Sequence, residues 1–289
     1  MSYYNNSTIL YLDGEFLKAA DASGDLYSQS LHYGYAVYEG IRSYTSAEGE
    51  ARIWRAEAHF ERLKASAEAI GIPFPYEVAE LVKASYKVLE MNNMTDAYIR
   101  PLVFCPPNMG LTYAQTSRIL IAVWEWGAYL GEKQLNVMLS SFQRPNPSAF
   151  RIHAKVSGHY VNSIMASQEA KNKGFDEALL TDKNGNVAEG PGANIFFEKD
   201  GSLVTPPTDY VVEGITRASV LEICSDWDIA VSERFFTPEE LAQADSAFFC
   251  GTAAEIIGWH SFNGQSFPMS WTNSLGKRIR DEYLKRVKA

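Results

Sequence analysis

Trp126-Gly127-Ala128-Tyr129-Leu130-Gly131 decides how the chain is divided. Its two glycines interrupt strong strand-forming sequence, Ile119 to Trp126 before it and Asn136 to Phe142 after it. A glycine-bearing break of that kind marks the hand-over from one compact unit to the next. The reading is a smaller domain over residues 1–125, an interdomain loop over 126–134 and a larger domain over 135–289. A chain of 289 residues fits that division, because single cores stop growing at roughly 250–300 residues.

Towards the N-terminus, Ile9 to Leu12 and Glu15 to Leu17 flank Asp13-Gly14, the signature of a short hairpin. Ala36 to Tyr44 predicts a strand. Arg55 to Ile70 places Phe60, Leu63, Ala67 and Ile70 at helical spacing, with Gly71 as a stop. Val78, Leu81, Val82, Ser85, Val88 and Leu89 mark a second helix, and Tyr98 to Phe104 a strand. Beyond the loop, Val156 to Lys173 predicts a helix, followed by hairpins turning at Asn184-Gly185 and Asp200-Gly201. Thr216 to Trp227 is a further helix, and Thr237-Pro-Glu-Glu is a well-formed helix start. Ala247 to Cys250 reads as a buried strand, and a last helix aligns Ile279, Tyr283 and Val287. The class is α+β.

The composition is 46% hydrophobic and 13% aromatic, which leaves no room for a disordered chain. A net charge of −9 with scattered Lys and Arg opposes nucleic-acid binding. The dense basic stretch Lys277 to Lys288 also carries Asp281 and Glu282 and reads as a solvated helix face. Cys105, Cys224 and Cys250 form no CxxC pair, as expected of a reduced, cytoplasmic chain. The longest apolar run, Ile119 to Trp124, falls far short of the ~20 residues of a membrane span. His32, His59, His153, His159 and His260 show neither HExxH nor Cys-His spacing, so no metal site is expected. No nucleophile elbow or Walker loop is present, and Gly190-Pro-Gly192 leads into a strand rather than a helix.

What remains is a set of polar residues at abrupt turns. Lys155, in His153-Ala-Lys-Val-Ser-Gly-His-Tyr160, sits where the chain enters a helix, an unfavourable place for a cation. Glu189 ends a strand beside Gly190-Pro-Gly192, where an ordinary turn carboxylate would fit equally well. Gly214-Ile-Thr-Arg217 and Cys250-Gly-Thr-Ala-Ala254 each expose backbone N–H groups and a hydroxyl, the chemistry of an anion site or of a capped turn. Strand alternation puts Tyr98 with Arg100, and Tyr38 with Gly40 and Arg42, on shared faces. Aromatic and guanidinium groups together can read a carboxylate on an apolar chain, and solvent-facing strands carry them too. From the residues alone, the reading stops at an enzyme-like two-domain protein with candidate anion sites.

Taken in order, the blocks say more. Leu31-His-Tyr-Gly34, Val37-Tyr-Glu-Gly-Ile-Arg42, Trp54-Arg-Ala-Glu-Ala-His-Phe-Glu-Arg-Leu63, Ala97-Tyr-Ile-Arg-Pro101, the loop at Trp126, Ala154-Lys-Val-Ser-Gly-His-Tyr160, Glu189-Gly-Pro-Gly-Ala-Asn194 and Gly214-Ile-Thr-Arg217 run through nearly the whole chain. Together they resemble the class IV aminotransferases, the fold-type IV pyridoxal-phosphate enzymes, and among them the branched-chain aminotransferases. The resemblance implies a D-amino-acid-aminotransferase-like fold, with a smaller α/β N-terminal domain and a larger C-terminal domain built on a pseudo-barrel sheet. It implies pyridoxal 5′-phosphate as cofactor and amino and 2-oxo acids as substrates.

By the same resemblance, Lys155 is the lysine that bonds to the cofactor and then carries a proton between substrate Cα and cofactor C4′. Glu189 matches the carboxylate on the pyridine nitrogen, and Tyr160 the tyrosine near the 3′-oxygen. Arg55, Ile215, Thr216 and Thr252 match the phosphate cradle. Tyr98 with Thr252 and Ala253 matches the groups holding the α-carboxylate. Tyr33, Tyr38, Leu111, Trp126 and Tyr129 match the apolar pocket, with Arg42 on the neighbouring strand face, and Arg100 matches the receiver of glutamate's side-chain carboxylate. Some of these residues cross a dimer interface in that family, so a homodimer or higher homo-oligomer is implied.

The chain departs from the pattern at Ala188, where serine is common, and at Ala193, where glutamate is common. Val156-Ser157 replaces a smaller pair, and the loop Cys105 to Leu111 is proline-rich. Tyr98-Ile-Arg100 differs from the trap of D-amino-acid aminotransferases, and Lys155-Val-Ser-Gly from aminodeoxychorismate lyases. Glu39-Gly-Ile-Arg42 is absent from (R)-amine transaminases.

Overall fold

The computed structural model describes residues 3–127, 130–131 and 133–289. They form two compact units. The first runs to Gly127 and also takes in Ala154–His159 and Val287–Ala289; the second holds the rest up to Arg286.

In the first unit, β1 (Ile9–Leu12) and β2 (Glu15–Lys18) form the Asp13-Gly14 hairpin, followed by the short helix α1 (Gln29–Tyr33). Then come β3 (Val37–Tyr38), β4 (Ile41–Thr45), β5 (Ala51–Ile53), α2 (Ala56–Ala69), α3 (Val78–Met91), β6 (Ala97–Phe104) and β7 (Arg118–Trp124). The strands make one antiparallel sheet in the order β2-β1-β7-β6-β4-β5, with β3 also on β6. Alternation in β6 turns Ala97, Ile99 and Val103 to the core with Phe60, Leu63 and Ala67 of α2. Burying Phe60 or Leu63 contributes about 1.5–3 kcal/mol each.

The strand expected over Ala36 to Tyr44 is broken at Glu39-Gly40. Pro101 stands opposite in β6; it lacks an N–H, so the ladder cannot run unbroken past it. Its carbonyl accepts from the Glu39 N–H at 2.9 Å, and β3 and β4 pair on either side.

In the second unit, β8 (Leu135–Gln143) is followed by α4 (Tyr160–Asn172), β9 (Glu177–Thr181), β10 (Asn194–Lys199), β11 (Ser202–Thr205) and α5 (Ile215–Asp226). Next are β12 (Val231–Glu233), α6 (Pro238–Leu241), β13 (Ser246–Gly251), β14 (Glu255–Phe262), β15 (Gln265–Ser266) and α7 (Leu275–Lys288). The sheet order is β12-β11-β10-β13-β14-β8-β9, with β15 on β14, and the sheet curls into half a barrel. Phe197, Phe249, Ala247 and Trp259 fill one side of it. Asp200 and Gly201, both at positive φ, turn the β10–β11 hairpin. The turn at Asn184-Gly185 folds residues 187–189 back along β9 through Ala188 N–H to Leu180 O and Leu180 N–H to Glu189 O, both 3.0 Å, with only the Thr181–Val187 pair as a bridge. Thr237 caps α6 as expected, its hydroxyl accepting from Glu240 N–H. No helix among the described residues is long and apolar enough to cross a membrane.

Candidate active site

The helix expected from Val156 begins as a short turn at Ser157, and α4 proper only at Tyr160. The reason is that the strip carrying Lys155 is spent on the first unit's sheet edge. Tyr38 N–H donates to Lys155 O (3.1 Å), Ser157 N–H to Ala36 O (2.8 Å) and Gly158 N–H to Gly34 O (3.1 Å). Lys155 N–H in turn donates to Ser66 Oγ on α2 at 3.1 Å. Gly34 has φ +67°, and a Cβ there would lie 2.7 Å from Gly158 Cα, so the close approach needs glycine. The backbone of Lys155 is therefore held from both sides.

Its side chain meets an aromatic wall. Lys155 Nζ lies 5.0 Å from the Tyr38 ring centroid, and the Arg100 guanidinium lies 4.5 Å from the same ring. Arg100 also faces Tyr98 (5.3 Å) and Trp124 (5.5 Å), and its Nη2 donates to the Tyr98 hydroxyl at 3.4 Å. Trp126 stands edge-on to Tyr98 at 4.6 Å. Gly40 makes space for this arrangement, since a Cβ there would sit 1.9 Å from the Tyr98 hydroxyl. Arg42, opposite Tyr98 in register, donates to the Trp126 carbonyl (2.8 Å) and lies 3.8 Å from the Asp96 carboxylate.

Tyr33 and Leu111 project outward instead, 50% and 89% exposed, with the Tyr33 hydroxyl donating to Met109 O. Tyr129 lies outside the described residues. Arg55 holds the cap position of α2 in the left-handed region (φ 51°), its guanidinium 5.4 Å from the Trp54 ring. A cation at a helix start opposes the helix dipole, so α2 is not the beneficiary of this residue.

Beneath Tyr38 lies a cluster the sequence did not single out. Glu39 is fully buried and accepts from His59 Nδ1 (2.7 Å) and from Arg62 Nε and Nη2 (2.7 and 2.9 Å). Burial alone would push its carboxyl up, but Arg62 and His59 hold it well below the usual carboxylate range. Burial pushes His59 the other way, below an ordinary imidazole, with Arg62 and Lys155 adding to the effect against Glu39. His59 is thus a neutral donor at pH 7. All three residues lie in quoted blocks, but nothing in their spacing says that residues 39, 59 and 62 meet.

The second unit carries a buried carboxylate and a helix start without a side-chain cap. Glu189 is buried at the end of the turn folded along β9. Asn194 Nδ2 donates to it at 3.2 Å, and Val212 N–H reaches both oxygens at 3.3 and 3.4 Å. Asn194 also donates to Val212 O (3.0 Å), tying Glu189 to the segment that enters α5. At that entrance Gly214 is the cap and makes no side-chain hydrogen bond to the helix, whose first N–H groups, those of Ile215 and Thr216 among them, have no intrahelical partner and suit an anion. A Cβ at Gly214 would lie 2.0 Å from Asn194 Oδ1. Thr252 and Ala253 form the turn between β13 and β14. Tyr160 is the first residue of α4. Among the described residues no cluster of His, Cys, Asp and Glu is arranged for a metal ion.

The sequence matches the amino-transferase class IV family over residues 36–262. The chain belongs to the class IV aminotransferases. This aminotransferase is 36% identical to a branched-chain-amino-acid aminotransferase of Pseudomonas aeruginosa, over 99% of the chain and 95% of that relative. It resembles the crystal structure of a branched-chain aminotransferase from Thermoproteus uzoniensis with norvaline, at TM-score 0.93 and 37% identity, covering 97% and 95% of the two chains. It also resembles the crystal structure of a branched-chain amino acid aminotransferase from Thermobaculum terrenum in its PLP form, at TM-score 0.92 and 31% identity, covering 98% and 94%.

Proposed function

We propose that this aminotransferase moves the amino group of branched-chain L-amino acids (leucine, isoleucine and valine) to 2-oxoglutarate, with pyridoxal 5′-phosphate as its cofactor. The residues suit that group: an amine on a fixed backbone, a buried carboxylate, and a helix start left without a side-chain cap. Lys155 bonds the cofactor and moves the proton at the substrate Cα, and Glu189 serves the pyridine nitrogen. Arg55, Ile215, Thr216 and Thr252 hold the phosphate, with Tyr160 at the 3′-oxygen. When bound, the cofactor supplies the electron sink that makes the Cα proton acidic.

The observation that carries the substrate reading is the ring of Tyr38, which faces both the Lys155 amine and the Arg100 guanidinium. An apolar side chain lies against Tyr38, Tyr98 and Trp126, whereas a γ-carboxylate reaches Arg100. When leucine is bound, the Tyr98 hydroxyl and three aromatic rings keep the guanidinium solvated. Tyr98, Thr252 and Ala253 take the α-carboxylate.

We further propose a homodimer working in a reducing cytoplasm. All three thiols are free and buried. The first unit leaves Leu26, Tyr27, Leu31, Tyr33, Leu111 and Tyr113 exposed, and α4 exposes Val161 and Ile164. Tyr33 and Leu111 would then serve a partner's substrate pocket.

The test is the visible spectrum of the purified protein, titrated separately with L-leucine, L-glutamate, D-alanine and an (R)-arylalkylamine. Bleaching by L-leucine and L-glutamate, reversed by a branched-chain 2-oxo acid, is expected. Bleaching by the D-acid or the amine alone would move the substrate class to a neighbouring group of the same family.

A further inference from the structure

Arg144 has no part in any role given above. It follows β8 directly, its N–H donates to Thr181 O at 2.8 Å, and its side chain is buried. Its Nε lies 2.9 Å from Glu189 Oε1, with each side chain 6% exposed. The Nε hydrogen is not aligned on the carboxylate, so the contact is one of charge rather than of a straight hydrogen bond. Asn194 takes Oε2, and Val212 N–H straddles both oxygens.

We infer that Arg144 is a positioning residue that keeps Glu189 charged and thereby decides on which side of the carboxylate–pyridine contact the proton rests. The inference rests on the reading of Glu189 as the partner of the cofactor's ring nitrogen.

Two arrangements of one proton compete there. Either the carboxylate is ionised and the nitrogen carries the proton, or the carboxyl is protonated and the nitrogen is neutral. Burial by itself favours the second, because it disfavours both charges. A guanidinium never gives up its proton under these conditions. At 2.9 Å it stabilises the anion of Glu189 more than it would oppose a cation held farther away by that carboxylate. With the cofactor bound, an ionised Glu189 would leave the proton on the ring nitrogen, where it would make the ring an effective sink. Asn194 completes the device by fixing the carboxylate plane relative to the Val212 carbonyl, three residues before the helix that would take the phosphate.

The experiment uses cofactor-free protein and four variants: Arg144→Met, Arg144→Lys, Glu189→Gln, and Arg144→Met with Glu189→Gln. Thermal midpoints are measured from pH 5 to pH 8, and each protein is then titrated with pyridoxal 5′-phosphate. Without Arg144 the folded-state pKa of Glu189 rises above its unfolded value of about 4.3. A raised carboxyl favours the folded state in acid, and that advantage is lost as pH climbs towards the raised value. The Arg144→Met midpoint should therefore approach wild type near pH 5 and fall roughly 5–10 °C below it by pH 8. Adding Glu189→Gln should abolish the pH dependence of that gap, and Arg144→Lys should close most of it. Cofactor affinity of Arg144→Met should drop about tenfold or more at pH 8 and recover with lysine.

A gap that stays constant with pH, or that persists unchanged with glutamine at 189, would overturn the inference and leave Arg144 as packing. The cofactor-free profiles decide this whether or not pyridoxal phosphate binds. A wild-type protein that takes up no pyridoxal phosphate would defeat the cofactor reading by itself.

Discussion

Lys155 and Arg100 both lie over one tyrosine ring, although 55 residues separate them in the chain. Lys155→Ala should abolish transamination, at least a thousandfold, with the circular dichroism spectrum and thermal midpoint close to wild type. Turnover that survives would mean the nucleophile is another group. Arg100→Ala should cost glutamate and 2-oxoglutarate roughly 10–100-fold in kcat/KM, the worth of one charge-assisted contact, and cost leucine far less. An equal loss with both substrates would place Arg100 at the α-carboxylate. Both residues were legible in the sequence, but only as members of motifs. Alternation along a strand put Tyr98 beside Arg100, yet no periodicity could bring Lys155 to Tyr38. Arg144 was not legible at all: it precedes Pro145-Asn-Pro in a loop, and its partner lies 45 positions on.

At the scale of single elements, the informative feature is the break between β3 and β4. Alternation predicted one strand over Ala36 to Tyr44, because the cause, Pro101 without an N–H, sits on a different strand. The break turns Glu39 inward to meet α2, and so locks the strand before the site to the helix after Arg55. Glu39→Gln should destabilise the protein by about 3 kcal/mol at neutral pH, since it removes the buried counter-charge of the half-buried Arg62. Glu39 is held below its unfolded pKa, so its contribution is present above about pH 4–5 and lost as pH falls further. The variant's acid-unfolding curve, followed by fluorescence, should accordingly be flatter below pH 4 than that of wild type. Gly40→Ala is expected to displace the Tyr98 hydroxyl and raise KM for leucine and glutamate together. A change confined to one substrate would separate Tyr98 from the shared α-carboxylate. The over-long helix expected from Val156 has the same origin as the broken strand: a local pattern yielding to hydrogen bonds made with a distant segment.

For the whole molecule, helices and strands with strong internal periodicity (α2, α3, β6 and the Asp200-Gly201 hairpin) lie where the sequence placed them. The order of strands within each sheet had no signal in one sequence, because β11 to β12 and β8 to β9 are parallel neighbours joined by long crossovers. The proposed homodimer would cover the exposed side chain of Leu111. Leu111→Asp should shift the protein to a monomer in analytical ultracentrifugation at micromolar concentration, and lower activity with it; an unchanged sedimentation coefficient would place the contact elsewhere. The assignment of Ala154–His159 to the first unit has a consequence in time. Chains leave the ribosome N-terminus first, at roughly 5–20 residues per second. Apart from Ala154–His159 and its last three residues, Val287–Ala289, the first unit is translated by Gly127, yet the six-residue strip that seats Lys155 follows only after β8 has been made. For roughly 2–6 seconds of each translation, the nascent first unit has its sheet edge at Gly34–Tyr38 open, waiting for the lysine to arrive.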